Sequence, residues 1–338
     1  MKILIGTLLL MMALTLIIVF SDGPQALLER EWIIFMLTIA VLGAAFSLTS
    51  LLNRRKYDSS TGKDLPELEP REIEAMKDLL KQKEVPCVKL TPVRRSTGIF
   101  ESKFGGAPYL PPGFEYPHEK GIRRKAQALK LLCQLNLAEL PPLPGFPQKG
   151  MLQFYLPSRE GPDPFGADFG NPTEQRAWRA VYHPEVITDK SLLGSPPDSI
   201  GEDSNFPFKG EFALEMEQSL MPIQPYDYGW KDFKKNILKP SPMWQSLIDK
   251  YKEKDLIILM QGMLERRGCR VGGYPYFTQS DPRFGGGTIH SNHSVLLLQI
   301  DGDEQALWVE GYIANFIIAP KALEGCDFSD VIYTWESA

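Results

Sequence analysis

The 338-residue chain has little that marks a catalyst or a nucleic-acid binder. Its four cysteines, Cys87, Cys133, Cys269 and Cys326, lie far apart with no Cys-x-x-Cys pair. They read as free thiols, and Cys133, inside an apolar run, reads as a buried small hydrophobe. A formal net charge of −5 with interspersed signs leaves no basic face, so nucleic acid is not an expected partner. No G-x-S-x-G element is present, and no cysteine has a matching His and Asn signature, so no nucleophile is named. Gly285-Gly286-Gly287 is not followed by GK[ST], which removes the phosphate-cradle reading. His290 and His293 stand i, i+3 but lack the third and fourth ligands that zinc requires. No cofactor signature is found, and none is expected.

What the chain does have begins with two apolar runs, Ile3–Phe20 and Trp32–Leu52, neither containing a charge. Roughly 20 apolar residues cross about 30 Å of hydrocarbon as a helix. The connector Ser21–Glu31 carries a net charge of −2, whereas Lys2 and the Arg54-Arg55-Lys56 triplet flank the runs. Cytoplasmic flanks collect Lys and Arg. The expectation is a transmembrane hairpin over residues 1–56, with helices at about 3–20 and 32–52 and both ends inside. That places the protein at the bacterial inner membrane, crossed twice, with the bulk of the chain cytoplasmic. A cleaved signal peptide is one alternative, but the first run exceeds the usual 7–15 residues of such a region; the other has only Trp32–Leu52 spanning after processing, which would export the domain.

Residues 57–69 read as a polar linker and residues 70–338 as a folded domain. Pro and Gly number 28 each, often clustered, which suits short strands and irregular turns. Pro70–Glu84 predicts an amphipathic helix with Ile73, Met76, Leu79 and Leu80 on one face. Strands are predicted at Val85–Leu90, Gly98–Phe104, Gly150–Pro157, Trp178–Ile187, Glu211–Ser219, Ser294–Asp301, Gln305–Val309, Ala314–Ala319 and Val331–Trp335. Leu129–Leu137 is an apolar run ending in a turn. Met243–Tyr251 and Leu256–Arg267 read as helices, and Asp301-Gly302 as a hairpin turn joining Ser294–Asp301 to Gln305–Val309.

The domain repeats itself. Gly105-Gly106-Ala107-Pro108-Tyr109-Leu110 matches Gly272-Gly273-Tyr274-Pro275-Tyr276-Phe277, and Leu131–Asn136 matches Leu296–Asp301. Gly150–Leu156 matches Gly311–Ile317 more loosely, with Phe154 facing Phe316. The blocks keep their order at nearly constant spacing, which reads as a duplicated unit with halves at about 98–157 and 268–319. The predicted fold class is α+β, mainly antiparallel strands in two copies with few helices, plus the transmembrane hairpin. A groove between the copies is the natural ligand site.

The blocks SKFGGAPYLP (Ser102–Pro111), CQLNLAEL (Cys133–Leu140), GMLQFYLP (Gly150–Pro157), GGYPYFTQ (Gly272–Gln279) and LLLQIDGD (Leu296–Asp303) carry a resemblance. With Asn315–Trp335, they resemble the YwqG-like family, a bacterial family of unknown function. The resemblance spans roughly Val85 to Glu336. It implies an α+β fold dominated by antiparallel strands and no established activity. Family members usually lack an amino-terminal hairpin, and Glu310 stands where they often carry Asp.

The candidate ligand residues are Gln134 and Gln299, equivalent polar positions within apolar strands, with Tyr109, Tyr276, Gln279 and Asn315 beside them. The bland alternative is that each glutamine pins a neighbouring loop, because buried amides must be hydrogen-bonded. Asp301, Asp303 and Glu310 are the metal candidates, although Asp301-Gly302-Asp303 is also ordinary hairpin chemistry. The expected function is a membrane-tethered cytoplasmic binding or interaction protein for a protein or small-molecule ligand. A hydrolase or transferase using the carboxylate cluster, with or without a metal, and a toxin-neutralising partner are the alternatives.

Overall fold

A computed structural model describes residues 65–120, 127–158, 164–197, 200, 206–225, 227–279, 281–284, 290–302 and 311–337. In chain order the elements begin with α1 (Pro70–Lys81), β1 (Glu84–Arg94), β2 (Lys103–Gly105), β3 (Lys130–Asn136), β4 (Met151–Leu156), β5 (Arg179–His183) and β6 (Glu211–Pro222). They continue with α2 (Trp230–Phe233), α3 (Pro242–Lys250), α4 (Glu253–Gly262), β7 (Cys269–Gly272), β8 (Val295–Asp301), β9 (Tyr312–Ile318), α5 (Pro320–Glu324) and β10 (Val331–Ser337).

All ten strands join one antiparallel sheet in the order β10-β9-β8-β7-β1-β6-β2-β3-β4-β5. Exchanging each strand with the one five places along reproduces this order read backwards, so a pseudo-twofold axis passes between β1 and β6. Those two strands are exchanged: β1 pairs with β7 of the second half and β6 with β2 of the first. The irregularity between Leu131 and Cys133 in β3 has its counterpart between Leu296 and Leu298 in β8.

The sheet coils until its ends nearly meet. Phe154 on β4 lies 4.6 Å from Phe316 on β9, ring centre to ring centre. The gap is filled by the segment leading into β5. Trp178 packs 5.2 Å from Tyr333 of β10, Tyr333 N donates to Pro172 O at 2.9 Å, and Tyr333 Oη donates to Phe165 O at 3.0 Å. The resulting near-barrel is filled by Leu152, Phe154, Leu297, Phe316 and Tyr333 among others.

A second cluster gathers the helices. Met76, Leu79 and Leu80 of α1 meet Trp230, Phe233, Trp244, Leu247, Leu256 and Met260. Pro70 begins α1, where its missing N–H is harmless. Glu72 reaches back to Glu69 N at 2.9 Å and also accepts from Lys250 Nζ and Tyr251 Oη, both at 2.9 Å, tying α1 to the end of α3.

Several expectations need correction. The copies are not separate units facing each other across a groove; they merge into one sheet by exchanging β1 and β6. The transmembrane hairpin finds no support: no helix among the described residues is long and apolar enough to cross a membrane. Residues 1–56, on which the inner-membrane placement rested, lie outside the described residues.

The helix read to Arg267 stops at Gly262, and Cys269–Gly272 becomes a strand between β1 and β8. The partner of β8 is Tyr312–Ile318, and Gln305–Val309 lies outside the described residues. β1 runs past Pro92 to Arg94. It is paired on both sides only at Cys87–Leu90, so Pro86 and Pro92 fall where the ladder has one neighbour to lose.

Candidate functional site

The residues nominated from sequence form two matched sets within the sheet. In the first half, Gln134 is fully buried, and its Oε1 accepts from Tyr109 N at 2.7 Å and from Gln153 Nε2 at 2.9 Å. Its Nε2 donates to Ile99 O at 2.9 Å and Glu101 O at 3.0 Å. In the second half Gln299 Oε1 accepts from Tyr276 N at 2.8 Å, while its Nε2 donates to Gly268 O at 2.9 Å. Asn315 Nδ2 donates to Tyr276 O at 2.9 Å, as Gln153 Nε2 does to Tyr109 O at 2.8 Å. Each set fastens its own Gly-Gly-x-Pro-Tyr loop to the sheet, and among the described residues no hydrogen bond joins one set to the other. Tyr109 is buried, with its hydroxyl accepting from Ile187 N at 2.9 Å. Gln279 stands exposed, its Nε2 donating to Ser337 O at 2.8 Å.

Gln153 escaped the sequence reading. The alignment of Phe154 with Phe316 already set Gln153 opposite Asn315, and that was its signal. Its Oε1 accepts from Tyr155 Oη at 2.9 Å and meets His183 Nε2 at 3.1 Å, so His183 carries its proton on Nε2. Burial pushes the His183 pKa down to about 4.

The carboxylates divide. Asp301 is fully buried and held by Arg267 Nε and Nη2, both at 3.1 Å, and by Gly268 N at 2.7 Å. Its lone pairs serve that ion pair. Asp303 and Glu310 lie outside the described residues. Among the described residues no three His, Cys, Asp or Glu side chains are placed to hold a metal ion. His293 is buried with Nε2 at 3.1 Å from Asp330 O, and the His290 ring lies 5.4 Å away.

A concavity outside these two sets lies on the helical cluster. After α2 the chain makes one π turn, Lys234–Leu238, closed by Lys239 N donating to Lys234 O at 2.9 Å. Such turns are rare and often mark functional positions. Together with α2 it walls a groove of about 520 Å³, lined by Asp227, Tyr228, Trp230, Lys231, Lys234, Lys235 and Lys239. Lys234 pairs with Glu253 at 2.8 Å. Lys231, Lys235 and Lys239 are exposed and make no ion pair among the described residues.

Beneath them, Asp227 Oδ1 accepts from Gly229 N at 2.8 Å and Oδ2 from Arg283 Nη2 at 3.1 Å. Arg283 is buried and also bonds Asp281 at 2.6 Å. Burial raises the Asp227 pKa against the pull of Arg283. The two carboxylates are therefore occupied by Arg283 and Gly229, and the free charge facing the groove belongs to lysine. Sequence reading missed this groove because an acidic chain with mixed charges hides a local run of Lys231, Lys234, Lys235 and Lys239.

Fold and site together define an antiparallel β protein with two matched halves, whose nominated polar residues bind its own loops and whose open groove is cationic. Residues 102–337 match a family described as Domain of unknown function (DUF1963), and the chain belongs to that family. No curated protein matches the chain.

Proposed function

We propose that the chain is a binding protein that holds its ligand in the lysine-lined groove beside α2, and that within its family it belongs with the YwqG-like proteins. The observation that carries the first proposal is the contrast between that groove and the rest of the described polar groups. Gln134, Gln299 and Asp301 are buried and committed to backbone, to Gln153 or to Arg267, and buried Asn315 commits its Nδ2 to Tyr276 O. Lys231, Lys235 and Lys239 are uncommitted around a concavity of about 520 Å³. Ligand sites run from about 300 to 1,000 Å³ and combine apolar walls with a few polar groups. Tyr228 and Trp230 supply the apolar wall here. The YwqG-like kinship is supported by the blocks from Ser102–Pro111 to Asn315–Trp335.

The test compares the full-length chain with Lys235→Glu/Lys239→Glu after exposure to a small-molecule extract, with retained compounds released by denaturation and identified by mass spectrometry. A compound held by the parent and lost from the variant is expected; equal retention overturns the groove assignment. A turnover that survives purification and vanishes in a folded Asp301→Ala or Gln299→Ala variant would overturn the non-catalytic reading.

A further inference from the structure

Resting on the binding reading, we infer that the α2 groove is a phosphate-ester site. Lys231, Lys235 and Lys239 supply the charge, and the Tyr228–Trp230 wall receives the apolar group that the phosphate bears.

Three observations converge. First, the cations are all lysines. Arginine's planar fork fits carboxylate and phosphate alike, whereas the lysine ammonium is a compact point charge that meets a phosphate oxygen from any side without a fixed geometry. Second, these cations lack partners. Like charges gathered on one helical face repel one another, and among the described residues only Lys234 has a neutralising carboxylate, that of Glu253. The chain as a whole is acidic, with a formal net charge of −5, so this cluster departs from its surroundings. A ligand carrying two negative charges relieves the repulsion and gains electrostatic binding together.

Third, the geometry suits a ligand with two ends. Lys231, Lys235 and Lys239 follow one another along α2 and the π turn, forming a strip along the groove. Apart from Asp227, which Arg283 and Gly229 occupy, the rest of the lining is aromatic: Trp230 stacks on Phe233 at 5.0 Å and is fixed, while Tyr228 is exposed with the Arg283 guanidinium 5.6 Å from its ring centre. Arg283 itself is 5 % exposed and saturated by Asp227 and Asp281, so it holds the wall rather than the ligand.

A phosphorylated small molecule and an anionic lipid headgroup present this same chemistry. Full-length chain, Lys235→Glu/Lys239→Glu and Lys235→Arg/Lys239→Arg would each be titrated with ATP, pyrophosphate, adenosine and citrate by calorimetry, at low and high salt. Each would also be sedimented with vesicles of phosphatidylcholine alone or mixed with phosphatidylglycerol. The lysine reading expects binding of ATP or pyrophosphate, or capture by phosphatidylglycerol vesicles. That binding should weaken at least about tenfold in the glutamate variant and be largely kept in the arginine variant. Adenosine and plain phosphatidylcholine should not bind. Binding of the free phosphates identifies a soluble ester, and binding of the vesicles alone identifies a headgroup.

Absence of binding to every phosphate probe, citrate binding as tightly as pyrophosphate, or undiminished affinity in the glutamate variant would overturn the inference. If phosphate probes fail while the extract still yields a compound lost from the glutamate variant, the phosphate class falls and the binding reading stands.

Discussion

At the scale of single residues, the fold turns on polar side chains that sequence patterns treat as anomalies within apolar strands. Gln153 Nε2 and Oε1 together meet Tyr109 O, Gln134 Oε1, Tyr155 Oη and His183 Nε2. Gln153→Ala strands several buried partners at once, and leaving buried groups unpaired costs about 1–3 kcal/mol. A urea midpoint lowered accordingly, against little change for Gln148→Ala at an exposed position, is the expected outcome.

His183 adds a pH signature. Its folded pKa of about 4 lies below the ordinary value of 6.5, so the unfolded chain takes up the proton first as pH falls. Stability is complete above about 6.5 and declines toward 4, by up to roughly 3 kcal/mol for a shift of this size. The difference in unfolding free energy between the parent and His183→Gln, measured across that window, should shrink with acid; a constant difference would count against a buried neutral imidazole. Gly105 is constrained in another way. Its φ is +67° and an added Cβ would sit 2.5 Å from Gly210 O, so Gly105→Ala should destabilise by more than the roughly 1–3 kcal/mol of backbone strain alone.

At the scale of elements, α1 is held by a carboxylate as much as by its apolar face. The backbone N–H of Glu69, then Lys250 and Tyr251, hold the Glu72 carboxyl down at about 2. That contribution is present above the ordinary carboxylate range and lost as pH falls through about 2. Glu72→Gln should raise hydrogen exchange in α1 near neutral pH while leaving β3 and β4 protected; uniform loss of protection would show that α1 and the sheet open together.

The legibility of elements follows their range of contact. α1, α3, β4 and β8 announce themselves through local periodicity or apolar runs. β7 does not, because four residues, Cys269–Gly272, carry no period and follow directly on a helical pattern. Gln134 and Gln299 were legible as a pair because the repeat aligns them. What they bond to was not, since Ile99, Gly268 and Tyr276 come close only after the strands pair. The exchange of β1 and β6 left no local trace at all.

At the scale of the whole molecule, the sheet depends on a strand that lies outside the matched family segment. β1 ends at Arg94, before residue 102, yet it stands between β7 and β6. A chain beginning at Ser102 loses both ladders of the central strand. It should expose apolar surface, read as dye binding and loss of a cooperative melt, whereas a chain beginning at Leu65 should keep the sheet.

The seam is a second whole-molecule feature. Trp178 is fully buried and packs on both Phe316 and Tyr333. Trp178→Ala should therefore cost about 3–5 kcal/mol and loosen both ends of the sheet, seen as faster exchange in β5 and β10 together.

The exchange of central strands also sets a timetable for synthesis. β1 is made early, but the residues that pair with it, from Phe212 opposite Arg94 to Pro222 opposite Glu84, are made much later. At about 5–20 residues per second the nascent chain carries β1 without its partner for on the order of ten seconds. An unpaired strand invites pairing with other chains throughout that interval. Lys89 and Arg94, both on β1, place charge on the strand during that wait, and Pro86 and Pro92 interrupt the ladder a stray strand could build. The prolines that make β1 hard to read as a central strand thus guard it while the rest of the sheet is still being made.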